Sequence, residues 1–448
     1  MANVSRQSIA LTGDTLLTRR VSVFREDRFL EIRDILRSAD AVFTNFDSNI
    51  HAYLDDPHQQ RPSAGSYLTT EPALLDELKW LNINLIACGS THADDYGPKG
   101  ILDTIRYFDS AGIIHAGSGR NLAEARSPGY LDTANGRVAL LAATGSFHHG
   151  SRAGQQRSDT LGWPGVNGIR SKKIYTVDAD SLQQLRQIGG AVGWEQAKAR
   201  NLFQGGAPAV DSETAYDFLG HVFQVGTPGE TTIANASDLA EAVRNVRNAR
   251  YFADRVISSI HCHEQGGPTM HTATRRSEVE GMADFVVDYG RKCLDAGADV
   301  FVAHGPQLPL GIEIHNGKPL FHSLGTFLFQ IETVKHLPSE CYERYGLDSQ
   351  ATPSEFLERR YAGGTRGHTG EAAQWEQMFA VLDYEGDELR KIRIYPIELG
   401  FHLPPSQRGR PMLADAATGE RILKRLQRLS AEYGTDIRME DGIGVITL

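Results

Sequence analysis

Short apolar runs that end in a polar or acidic residue alternate along this chain with amphipathic helical segments, and this rhythm restricts its fold more than any other feature. "SIALTGD" closes on Asp14, and "AVFTNFDSN" ends near Asn45 and Asp47. "NINLIACGSTHADDYG" runs out around His92, and "RVALLAATGSFHHG" around His148 and His149. Between them, "EPALLDELKWLN" and "GILDTIRYFDSAG" place apolar residues at i, i+3, i+4 and i+7, the period of a helix with one buried face. Strands alternating with helices predict an α/β fold with much parallel sheet. The unbroken apolar character of "NLIA" and "VALLAA" predicts strands covered on both faces.

The rhythm organises the chain. Residues 1–150 read as the first half of a core. Residues 151–235, rich in Gly, Ser, Gln and Asp and weaker in periodicity, read as an insertion or cap. Strands return in 236–330 with "RVISSIHCHEQGG", "ADVFVAHGP" and "KPLFHSLGTFLFQ". Residues 331–375 are polar and irregular, as in a loop or lid. Residues 376–448 supply a hairpin turning at "YEGDE", a helix and a closing strand, "GIGVITL".

Composition narrows the partners. With 448 residues, 40% hydrophobic and 23% charged, the chain is an ordinary globular protein, and its net charge of −10 without a basic block argues against a nucleic-acid partner. No run approaches a membrane-spanning length, and the N-terminus lacks the basic-then-apolar pattern of a secretion signal. The four cysteines (Cys88, Cys262, Cys293 and Cys341) form no CxxC pair, which fits reduced thiols. The expectation is a cytoplasmic protein acting on a small-molecule or peptide substrate, with no membrane partner.

Asp14, Asp47, His92, His261, His263 and His304 all fall at or just beyond predicted strand ends. In open α/β sheets ligands collect past the carboxyl ends of the strands, so these six can converge. Carboxylates and imidazoles together are a ligand set for zinc or manganese, and a bound ion activates water. Each residue also has a purely structural explanation. Asp14 follows Gly13 as a turn or N-cap aspartate would, Asp47 suits an Asx turn, and His92 lies in a stretch that could cap the next helix. His261 and His263 alternate along a strand and therefore share a face. Asn167 and Arg170 of "WPGVNGIR" could reach the cleft from the insertion. Arg275 and Arg276 could hold a substrate carboxylate or phosphate.

The motifs "TGDTLL", "TNFDS", "THADDYGPKGILDTIRYFDSAGIIHAGSGRNLAEARSP", "WPGVNGIR", "HCHEQGG" and "AHGPQLPLGIEIHNGKPLFHSLGTFLF" follow one another in an order that resembles the CapA (poly-γ-glutamate capsule biosynthesis) proteins of the metallophosphatase-like superfamily. The resemblance implies a four-layer α/β/β/α sandwich of two mixed sheets flanked by helices. It also implies Asp14 as a first metal-binding aspartate, Asp47 in place of a glutamate, His92 as the histidine of an Asn-Asn-His motif, and His261 and His304 as histidines of later strands. Two departures stand out. Ser90-Thr91 replaces the two asparagines, and Gln307 stands where a second histidine is expected, so one of two metal positions reads as dismantled.

Two chemistries follow. In the first, one divalent ion (zinc or manganese), held by Asp47, His261 and His304 with His263 nearby, supports hydrolysis of an amide, γ-glutamyl or phosphoester bond, with His92 as general acid. In the second, no metal takes part. Asp14 and His304 form an acid/base pair that removes and returns a proton at a peptide α-carbon, a use to which some CapA-like proteins have been put. A non-catalytic binding protein with a decayed site is the third reading. The sequence favours the first.

Overall fold

A computed structural model describes residues 6–53, 66–267 and 270–448. The first five residues, part of the stretch read as lacking a secretion signal, lie outside the described residues. Five strands carry the candidate site: β1 (Arg6–Leu16), β2 (Ala41–Phe46), β3 (Leu85–Ala87), β4 (Arg255–His261) and β5 (Val300–His304).

The fold is mixed α/β. In a ten-stranded sheet, β1, β2 and β3 run parallel, and the hairpin of Glu376–Glu385 and Glu388–Glu398 joins β1 antiparallel. In a six-stranded sheet, β4 lies between β5 and Gly136–Thr144, parallel to both. Alternation along the strands gives each sheet two buried faces. Ile9, Leu11, Ala41, Phe43 and Leu85 of the first sheet share one core cluster with Val138, Leu140, Ile257, Val300 and Val302 of the second. The residues between them point the other way. Ala10, Val42 and Ile86 pack with Phe29 and Ile32 of Asp27–Ser38 and Phe108 of Gly97–Ala111. Val256, Ile260 and Phe301 pack with Val246 of Ala236–Arg250 and Phe285 and Tyr289 of Asp284–Asp295. Strands buried on both sides are what the unbroken apolar runs predicted.

Two segments are more regular than their sequences suggest. Within 151–235, Ser171–Val177, Ala215–Phe218, His221–Val225 and Gly229–Ala234 form a separate four-stranded sheet, with helices Ala179–Ala191 and Trp194–Phe203 beside it. The segment 331–375, expected to be irregular, contains helices Ser339–Glu343 and Pro353–Tyr361. The second begins with a capping box: Glu355 N donates to Thr352 Oγ1 at 3.3 Å, and Thr352 N to Glu355 Oε2 at 2.6 Å. Its Phe356, Leu357 and Tyr361 pack against Tyr67 and Tyr96, so this segment is bound to the core near the end of β3.

Candidate active site

A regular β1 would carry Asp14 to the wrong side. Ile9 and Leu11 face the other sheet, so a period of two would turn Gly13 inward and Asp14 outward. Between Leu11 and Asp14, however, three steps on β1 match two on β2, Phe43 to Asn45. This bulge adds a residue and brings Asp14 to the inner face, in register with Asn45. It depends on Gly13: a Cβ there would lie 2.4 Å from the Gly325 carbonyl oxygen, which accepts a hydrogen bond from Asp14 N at 2.9 Å. Across the gap, His261 and His304 end β4 and β5 in mutual register, both on the inner face. The two sheets therefore present a carboxylate and two imidazoles to one another at their carboxyl ends.

The four central groups are deeply buried: His261 and His304 at 0% exposure, Asp14 and Asp47 at 3%. Asp14 Oδ1 lies 3.6 Å from His261 Nδ1 and 3.6 Å from His304 Nδ1. Asn45 Nδ2 donates to Asp14 Oδ1 at 2.8 Å and lies 3.1 Å from His261 Nδ1. Asp47 Oδ1 stands 3.8 Å from His261 Nε2. Burial pushes the Asp14 carboxyl up, but His261, His304 and the Asn45 amide outweigh it and hold the group below its ordinary value. Burial brings His304 down to about 4 despite Asp14 and Asp47, which leaves it neutral over most of the pH range. Asp14 Oδ2 and both ring nitrogens of His304 have no hydrogen-bond partner.

His263 lies on the same face as His261, as the alternation predicted, with the rings 4.8 Å apart. Its Nδ1 is 2.7 Å from the Gly305 carbonyl. A carbonyl only accepts, so Nδ1 carries the proton and Nε2 is the bare nitrogen. That nitrogen faces Thr91 Oγ1 at 3.1 Å and His261 Nε2 at 3.4 Å. His92 pairs with Asp95 at 2.8 Å, and although burial opposes it, Asp95 and Asp47 raise the imidazole to about 9.

The donor chemistry here suits zinc or manganese, but the placement does not close around an ion. Among the described residues, no group of three or more His, Cys, Asp or Glu side chains is arranged to hold a metal. His261 and His263 converge as a pair, with Asp47 beside them and His304 turned to Asp14.

The weaker candidates divide. Arg275 is exposed, and its backbone N–H bonds Glu278. Its neighbour Arg276 enters the site instead, donating to Gln307 Oε1 at 3.0 Å and to the Gly305 carbonyl at 3.1 Å. Arg170 is drawn off to the buried Asp238, which also binds Arg126 and Arg152. Asn167 donates its amide to the Ala142 carbonyl and its backbone carbonyl accepts from Thr144 N, while its side-chain Oδ1 is buried without a hydrogen-bond partner. Asn45, Thr91 and Asp95 belong to the site but not to the six residues read from strand ends. Asn45 could have been found, because it shares the inward phase of Phe43 and Asp47 on one short run.

Comparison with known proteins places this geometry. The family model for "Bacterial capsule synthesis protein PGA_cap" matches residues 8–331, which include all six strand-end residues. The chain belongs to this PGA_cap family. The chain is 33% identical over 452 residues to the uncharacterized protein y4sH of Sinorhizobium fredii, covering 98% of this chain and 93% of that one. Similarity reaches the capsule biosynthesis protein CapA of Bacillus anthracis at 25% identity and the PGA biosynthesis protein CapA of Bacillus subtilis at 21%, each over 72% of this chain. Those matches cover 59% and 63% of the Bacillus proteins. The CapA-like resemblance read from the motifs thus agrees with the family of the chain, and the candidate site lies within the matched region.

Proposed function

We propose that this PGA_cap-family chain is an enzyme of proton transfer at carbon, an epimerase of peptide-like substrates working through Asp14 and His304 without a metal. The alternation of core clusters supports placing it on the four-layer α/β/β/α sandwich of the metallophosphatase-like superfamily. One observation carries the chemistry. Asp14 and His304 face each other from two sheets, fully buried, with Asp14 Oδ2 and His304 Nε2 free of partners. Buried polar atoms are seldom left unpaired, and a catalytic role is one of the explanations where they are.

The protons balance as follows. His304, neutral in the free enzyme, removes the α-proton of the substrate residue and leaves an enolate. Asp14 delivers a proton to the opposite face of that carbon, taking it from His261, which Asp47 and Asp14 hold above its ordinary pKa although burial opposes them. The proton on His304 then returns through Asp14, which lies 3.6 Å from both imidazoles. The reverse reaction uses the same groups with roles exchanged.

The hydrolytic reading keeps one supporting observation, the 3.4 Å approach of His261 Nε2 to His263 Nε2 beside Asp47. In that reading His92 would protonate the leaving group.

Mass spectrometry separates the two. Peptides incubated with the enzyme in D2O, with and without chelator, should gain one α-deuterium and D-configured residues in both conditions. Asp14→Asn and His304→Gln should abolish the exchange. Cleaved products that disappear on chelation would reverse the order of the two readings.

A further inference from the structure

Arg276 is a half-buried cation with no carboxylate in contact, although Asp14, Asp47 and Glu371 act on it from further away. Its guanidinium donates to two neutral oxygens, Gln307 Oε1 and the Gly305 carbonyl. Among the described residues, no carboxylate lies within ion-pair distance of it. His263 Nδ1, 3.0 Å from NH2, already gives its proton to Gly305 and accepts nothing. A guanidinium has five N–H donors, so three of them remain unassigned. A partly desolvated charge without a direct partner is costly, and planar, forked donors match an oxyanion in two places at once.

The surroundings hold this cation in place. Gln307, which presents Oε1 to it, has φ +62°, the left-handed region that a residue with a Cβ enters at a cost. Gln377 secures that conformation by donating Nε2 to the Gln307 carbonyl at 2.9 Å. Gly305, at φ +109°, cannot carry a side chain, because a Cβ there would lie 2.3 Å from the Cys262 carbonyl oxygen. The turn after β5 that positions His304 thus also fixes the two acceptors that orient Arg276. Glu371, a carboxylate that favours the charged Arg276 without contacting it, has its Oε2 buried without a hydrogen-bond partner.

We infer that Arg276 binds an oxyanion of the substrate beside the Asp14–His304 pair, with Gln307 as its positioning residue. The oxyanion is either a carboxylate of the substrate or the enolate oxygen that develops when the α-proton leaves. This second identity rests on the epimerase reading. The first does not.

Acetate is the probe. Wild-type protein should gain thermal stability as acetate is raised at constant ionic strength, because a ligand bound only by the folded state stabilises it. Arg276→Gln should lose this gain, while Arg275→Gln, altered at the exposed neighbour, should keep it. Arg276→Lys, which retains the charge but not the fork, tests the same point if the glutamine variant folds poorly, and should respond more weakly than wild type. An acetate response absent from wild type, or unchanged in Arg276→Gln, overturns the inference. The source of the oxyanion then follows from α-deuterium incorporation. A fall in kcat of about 100-fold with KM unchanged marks the enolate oxygen, and a rise in KM alone marks a substrate carboxylate. Acetate binding that depends on Arg276 in an enzyme with no exchange activity would leave the anion site standing and remove the epimerase reading.

Discussion

His304 and His92 are both imidazoles near Asp47, and their surroundings send them in opposite directions. His304 is enclosed by apolar strands and an Asp14 already shared with His261 and Asn45, so burial wins and it falls to about 4. His92 is in direct contact with Asp95 at 2.8 Å, and the carboxylate wins, raising it to about 9. In the epimerase reading, a His304 base that is free only above about 4 predicts an acid limb of α-deuterium exchange near that pH. The His92 titration can be read without substrate, by following its ring protons in NMR. Asp95→Asn should move it down toward 6.5, the ordinary histidine value. The same pair contributes to stability, and the sign is set by the direction of the shift. A raised histidine stabilises the fold fully below about 6.5, and the contribution disappears as pH rises through about 9. At most about 3 kcal/mol is involved, and the Asp95→Asn variant should lack this alkaline loss in urea titrations. Of these residues, the two strand-end histidines were legible in the sequence as the last members of buried runs. Asp95 was not, because its partnership with His92 depends on how the turn before Gly97–Ala111 closes.

The elements bring the site together through one irregularity. The pattern of β1 is readable as a strand, but its inward phase assigns Asp14 to the face away from His304. Only the bulge at Gly13 corrects this, and it is set by a contact with Gly325, more than three hundred residues further along the chain. No local pattern reveals such a contact, which is why the residue was identifiable and its placement was not. Gly13→Ala puts a Cβ 2.4 Å from a backbone oxygen that cannot swing aside. The strand must then shift. The expected cost is about 1–3 kcal/mol in denaturant midpoint measurements, with α-deuterium exchange reduced far more than stability, because Asp14 loses its inward placement facing His304. An active Gly13→Ala enzyme would show that the bulge does not set the pair. The helices of 331–375 teach a related lesson. Their polar composition read as loop, yet "TPSE" is a capping-box signature at the start of a short amphipathic helix, and tertiary packing on Tyr67 and Tyr96 completes it.

At the scale of the molecule, the weak periodicity of 151–235 marked an insertion but hid a division within it. Residues 151–170 are fastened to the core: Asn167 bonds the edge of Gly136–Thr144, and Arg152 and Arg170 meet Arg126 on Asp238. The remainder is a sheet with its own two helices, and its entry and exit are adjacent. Ser171 and Ala234 are paired at the end of an antiparallel ladder, so their Cα atoms are about 5 Å apart. Replacing 172–233 with a short glycine linker would therefore leave the core strands and the Asp238 cluster intact. The cut removes the bonds of Thr231 and Thr232 to Asp284, and the bond of Phe285 N to Thr232, at the start of Asp284–Asp295. That helix should lose some stability without unfolding, because Phe285, Val286 and Tyr289 stay packed in the core. The shortened chain should unfold cooperatively at a lower midpoint, keep the His92 titration near 9, and keep the acetate response of Arg276. Loss of cooperativity would make the small sheet part of the folding core. Retention of the site without peptide turnover would instead assign the small sheet to substrate binding, since Asp14, His261 and His304 all lie outside the excised segment.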